Sequence, residues 1–179
     1  VFATVVASAM MFLRVLLEVL VINPSLISLV AVPMLVMGIL GITLAVFLWR
    51  EVENRDMDPD LKLENPFSLK PALIFGVLFL GVLFISKLAN IYLGSGGVYL
   101  ASIISGVADV DAITISMSLL APNTITPETA ATAITLAAMS NTVFKFLIVL
   151  FFGTRKFATN VGLIFLLIII AGLLAIFLV

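Results

Sequence analysis

Neither cysteine nor histidine occurs in this 179-residue chain. Their absence excludes disulfides, thiolate and imidazole metal sites, Cys–His nucleophiles and a histidine pH switch. Any metal chemistry is left to oxygen ligands, and so to hard cations such as Mg2+, Ca2+, Mn2+ or Na+. Charge is scarce as well: 11% of residues are charged, against about 25% in ordinary globular domains. A net charge of −1 offers no footprint for nucleic acid. Apolar residues fill the gap, at 63% of the chain with a mean hydropathy of +1.35. This is the composition of an integral membrane protein rather than of a soluble domain with a large core.

Six apolar runs are long enough to cross a hydrocarbon core of about 30 Å, which takes about 20 helical residues. They cover about 1–22, 25–49, 71–92, 98–120, 128–152 and 157–179, and predict an all-α, polytopic transmembrane bundle. Asn23-Pro24 closes the first, and Trp49-Arg50 anchors the end of the second at an interface. A polar loop, 50–70, follows, and Gly94-Ser95-Gly96-Gly97 turns the chain into the fourth run. Thr126 and Pro127 are an N-cap and a first helical residue for the fifth, with Glu128 at its positive dipole end. The whole of 1–179 reads as one membrane domain. Because it starts inside an apolar run without methionine, it reads as the C-terminal part of a longer protein.

The fourth run carries the most informative residues. Asp109 and Asp111 stand one residue apart in a segment of small, hydroxylated and apolar side chains. An ionised carboxylate in hydrocarbon is unfavourable by roughly 2.5–3.5 kcal/mol even on the lenient insertion scale, so such residues mark functional sites by default. In a regular helix, at about 100° per residue, Asp109 shares a face with Ser102, Ser105 and Ser116. Asp111 falls opposite, with Thr114 and Ser118. Two carboxylates so placed hold one ion together only if the helix unwinds near Gly106. The run therefore either crosses the membrane, straight or kinked, or re-enters as a hairpin turning at 106–111. A helix polar on both sides cannot face lipid, which predicts the fourth run at the centre of the bundle.

The fifth run supplies partners. Asn141 and Lys145 form an i, i+4 pair, Glu128, Thr132, Thr135, Met139 and Thr142 make a stripe on another face, and alanines at 130, 131, 133, 137 and 138 permit close helix approach. On the first run Arg14 and Glu18 are another i, i+4 pair, read as a buried charge pair, while Lys87 snorkels from the third. Arg14, Lys87 and Lys145 balance Glu18, Asp109 and Asp111. Asp109 or Asp111 paired with Lys145 is thus one reading, and a site where proton, lysine and cation exchange partners is the other. The balance argues against tight divalent binding, because a nearby lysine competes with the ion. Enzyme readings fail. The aspartates lie on one segment rather than two, no base is present for a serine nucleophile, and the Gly94–Gly97 turn is too short for a phosphate loop.

Four stretches follow in order along the chain: 7–16 (Ala-Ser-Ala-Met-Met-Phe-Leu-Arg-Val-Leu), 65–73 (Asn-Pro-Phe-Ser-Leu-Lys-Pro-Ala-Leu), 105–114 (Ser-Gly-Val-Ala-Asp-Val-Asp-Ala-Ile-Thr) and 138–145 (Ala-Met-Ser-Asn-Thr-Val-Phe-Lys). Together they resemble the membrane domain of unknown function 4010, which in bacteria and archaea commonly follows an MgtC/SapB-type membrane module. The resemblance implies upstream MgtC/SapB-like helices as a partner of the same protein. Through that module's association with growth at low magnesium, it also implies a divalent ion such as Mg2+, with Asp109 and Asp111 as its ligands. It implies placement in the prokaryotic cell membrane. No enzyme activity or further cofactor is expected.

The reading from sequence is therefore a small-cation transporter or channel module. Asp109 and Asp111 act as ion or proton carriers, Asn141 as a neutral ligand and Lys145 as a mobile counter-charge, with Ser105, Thr114 and Thr142 as auxiliary oxygens. Its partners are the lipid bilayer and, in an oligomer, further copies of the chain. The rival reading is a membrane scaffold or regulator in which the same charges only hold helices together.

Overall fold

The computed structural model describes residues 2–49 and 69–177. The polar loop expected over 50–70 lies outside the described residues except for its last two, which open the third helix. Among the described residues the chain is helical throughout, with no strand. Five helices among the described residues are long and apolar enough to cross a membrane, so the chain is a multi-pass membrane protein.

Helix α1 (Phe2–Ile22) stops where Asn23 turns extended and Pro24 removes an amide donor. One 3-10 turn, Pro24–Leu26, leads into α2 (Ile27–Trp49), which carries Pro33 in its interior. The helix-helix packing around Pro33, which is itself buried, tolerates the lost backbone bond. Helix α3 (Leu69–Ala108) is helical by hydrogen bonding but sharply folded at Gly94, with φ 59° and ψ −149°. Residues eight apart in a straight helix are about 12 Å apart. Here the Gly97 backbone instead lies against the Ala89 carbonyl, and a Cβ at 97 would stand 2.6 Å from Leu93 Cβ. Glycine is required at 94 for the left-handed φ and at 97 for the close approach.

The chain leaves helical geometry at Asp109 and resumes as α4 (Val110–Leu120). Helix α5 (Pro127–Phe152) begins behind Thr126, whose hydroxyl accepts from the Thr129 amide at 3.2 Å. Helix α6 (Arg155–Ile176) begins behind Thr154, whose hydroxyl accepts from the Phe157 amide at 3.4 Å. Side-chain oxygens thus satisfy amides that each helix start leaves unpaired.

Helix α5 touches α1, α2, α3, α4 and α6, and α4 is wedged among α1, α3 and α5. The core where they meet holds Phe12, Met34, Ile113, Met117, Ile134 and Phe165, all essentially inaccessible. Small residues set the spacing. A Cβ on Gly106 would stand 2.7 Å from Ala137 Cα, so α3 and α5 approach backbone to backbone there. Leu17, Val77, Phe84 and Leu166 point outward, as suits lipid contact. The short α4 lies inside the bundle, with most of its side chains buried, Thr114, Ser116 and Ser118 included.

Candidate functional site

The site is built around the break between α3 and α4. Asp109 takes an extended conformation, φ −160° and ψ 121°, and its Oδ1 accepts from the Asp111 amide at 2.8 Å and the Ala112 amide at 3.4 Å. Its own amide still donates to the Ser105 carbonyl at 2.8 Å. The carboxylate is therefore the N-cap of α4, placed where the helix dipole favours negative charge. Among the described residues no donor reaches its second oxygen. A helical wheel over 98–120 consequently misplaces the two aspartates relative to one another, because the wheel assumes a helical residue at 109.

Asp111 turns the other way, toward α1. Its Oδ2 forms an ion pair with Arg14 Nη2, and Arg14 Nε lies 3.8 Å from Glu18 Oε1. Both acids are largely buried, at 19% and 18% side-chain exposure, and Glu18 Oε2 and Asp111 Oδ1 are buried without a hydrogen-bond partner. Arg14 is thus shared by two carboxyls, a long-range contact with Asp111 added to the local one with Glu18. Sequence spacing reveals only the local partner.

Lys145 meets neither aspartate in an ion pair among the described residues. Its ammonium lies 3.5 Å from Met11 Sδ on α1, a weak acceptor. The pairing of Lys145 with Asp109 or Asp111 that the charge balance suggests is replaced by Arg14 on Asp111, because α4 packs against α1 at that level. Asn141 Nδ2 donates to the Gly106 carbonyl at 3.0 Å, and Ser140 Oγ donates to the Ile103 carbonyl at 2.7 Å. Two side chains of α5 therefore bind backbone oxygens in the last turns of α3, and the Gly106 carbonyl is one that the helix end leaves without an intrahelical partner.

Arg14, Asp109, Asn141 and Lys145 line one cavity of about 480 Å³ between α1, the α3–α4 break and α5. Met10, Met11, Leu13 and Leu17 also line it, and because Met10, Leu13 and Leu17 are exposed it opens on the outer face of α1. The remaining residues expected at the site are placed elsewhere. Thr142 is buried and donates to its own helix at the Ala138 carbonyl, 2.9 Å away. Thr114 is buried without a partner, and neither they, Ser105 nor Asp111 lines the cavity. Met11, which sequence reading did not single out, does line it.

The donor set does not suit a resident divalent ion. Among the described residues no three carboxylates converge. One aspartate is engaged by α4 and the other by Arg14, and the remaining positive charge of Lys145 opposes a second cation.

Residues 1–153 match the family described as domain of unknown function, DUF4010. The chain belongs to the DUF4010 family. It is 31% identical over 157 residues to an uncharacterized protein of Aquifex aeolicus (strain VF5), a match covering 87% of this chain and 68% of that protein. No solved structure matches the chain.

Proposed function

We propose that this DUF4010 chain is a transport module of the cell membrane that moves a small cation or proton through the cavity bounded by Asp109, Asn141 and Lys145. One observation carries the reading: a helix is interrupted at an aspartate that lines a cavity together with a lysine that has no ion pair among the described residues. Irregular backbone at membrane depth is tolerated where it lines a cavity, and broken helices are how many transporters build their binding sites. We read 98–120 as one such discontinuous membrane segment. Asp109 has one carboxylate oxygen free to take an ion or proton, while Lys145 supplies a counter-charge when it is empty. Magnesium enters this reading only as possible cargo, since the donor set does not form a cage for it.

Flux into proteoliposomes tests the reading. Asn caps a helix about as well as Asp, so Asp109→Asn removes the charge and keeps α4. The full-length protein should carry H+, Na+, K+ or Mg2+ across the bilayer, and Asp109→Asn should abolish that flux at unchanged folding. Flux unchanged in Asp109→Asn refutes it.

A second reading has its own observation. The Arg14–Asp111 ion pair joins α1 to α4 and involves no cavity oxygen of Asp111. It supports a scaffold in which buried charges hold helices in register. Under that reading Arg14 and Asp111 lose stability singly and recover it when both are replaced by apolar residues.

A further inference from the structure

The cavity has room and charge for more than a bare ion. Its 480 Å³ falls within the range of about 300–1,000 Å³ typical of small-molecule sites, where a single water takes about 30 Å³. A lone cation on Asp109 leaves Lys145 without a partner, and a lone anion on Lys145 leaves Asp109 without one. Residues of both charges line the space with valences to spare. Lys145 has a thioether as its one side-chain partner among the described residues, and Asp109 has an oxygen that no protein donor reaches. The wall between them is apolar and adaptable, since methionine side chains repack easily around different shapes.

We propose that this cavity binds a small zwitterion of amino-acid size, with its carboxylate on Lys145, its ammonium on Asp109 and the Asn141 carbonyl, and its apolar part against Met10 and Met11. The inference rests on the cavity being the transport site and adds an organic cargo beside the cation or proton. The carboxylate neutralises Lys145 and the ammonium neutralises Asp109, so both protein charges are desolvated only when the ligand pairs them. An analogue lacking either charged end leaves a buried charge unpaired, a situation that sites built for polar groups reject strongly.

Thermal unfolding of the full-length protein in detergent tests the proposal. The probes are the twenty amino acids singly and, for each that acts, its deaminated and decarboxylated analogues; for L-leucine these are 4-methylpentanoate and 3-methylbutylamine. At least one zwitterion should raise the melting temperature at millimolar concentration, with both analogues at least tenfold weaker. Lys145→Gln should weaken binding of the zwitterion at least tenfold while Lys145→Arg retains it. No response to any amino acid overturns the proposal. So does a response to the amine alone, which makes this a cation site, or to the carboxylate alone, which makes it an anion site. Cation flux in amino-acid-free proteoliposomes separates the two levels. Flux without any zwitterion response removes the cargo and keeps the transport reading, whereas zwitterion binding without flux of either species removes the transport reading.

Discussion

Two charge clusters lie within a few residues of one another, and they differ in how fully their members are satisfied. Around Arg14, the Asp111 and Glu18 carboxyls close on one guanidinium and bind α1 to α4. Around the cavity, Asp109 and Lys145 face shared space without meeting. The aspartates are chemically identical and separated by one residue, yet one is a tie between helices and the other caps a helix at the edge of a cavity. What decides the role of a buried charge in this protein is therefore the element packed against it. A paired charge gains its value from its partner, and breaking a pair exposes the desolvation of the group left behind. An unpaired charge facing a cavity retains its capacity for a ligand.

Substitutions that separate the clusters should fall in a definite order. The largest loss is expected from Arg14→Leu, which strands Asp111 and Glu18. It should reduce stability by about 2–3 kcal/mol, below the about 3–5 seen when buried pairs are broken, because the Arg14 side chain is 59% exposed. Adding Asp111→Leu and Glu18→Leu should recover most of that loss in denaturant titrations, and a triple variant as unstable as Arg14→Leu breaks the pairing account.

Next comes Gly106→Ala. The new methyl meets the α5 backbone at Ala137 rather than a movable side chain, so overpacking should lower stability by about 1–3 kcal/mol. Unchanged melting would mean that α3 and α5 are further apart at this point. Asp109→Ala should remove the α4 cap at a loss of about 1 kcal/mol, whereas Asp109→Asn should lose no more than a few tenths. Equal losses in the two variants would show that charge, not capping, stabilises this residue. The smallest effect is expected from Lys145→Met. It replaces an ammonium whose polar partner is a thioether with an apolar chain of similar length, and stability should hold within about 0.5 kcal/mol or rise. A large loss there would move Lys145 into the structural cluster.

Much of the fold is legible in the chain because its punctuation is local. Asn23-Pro24 ends a helix by removing a donor, and Thr126-Pro127 starts one with a cap and a preset φ. The Gly94–Gly97 cluster marks a turn because only glycine takes its left-handed φ and its close approach. The geometry around Asp109 is partly legible for the same reason. Asp109 precedes Val110 and an apolar run with Asp111 in its first turn, which is a helix-start pattern. It is concealed by the continuous hydropathy on both sides, so that a helix wheel over the whole run looks natural.

The partners across the bundle are another matter. Arg14 finds Glu18 by spacing, but it finds Asp111 only because α1 and α4 pack side by side. Thr142 looks like an available oxygen on the polar face it shares with Thr135, yet it faces the packed core and bonds its own helix. Sequence periodicity states which residues share a helix face, but not which faces meet.

The measurement closest to the central claim is cation and proton flux into liposomes, normalised to folded protein, for Asp109→Asn and Asp111→Asn side by side. The account predicts that Asp109→Asn folds like the parent and carries no flux, whereas the folded fraction of Asp111→Asn, though smaller, retains it. Flux lost in Asp111→Asn and kept in Asp109→Asn would contradict the assignment of the two aspartates.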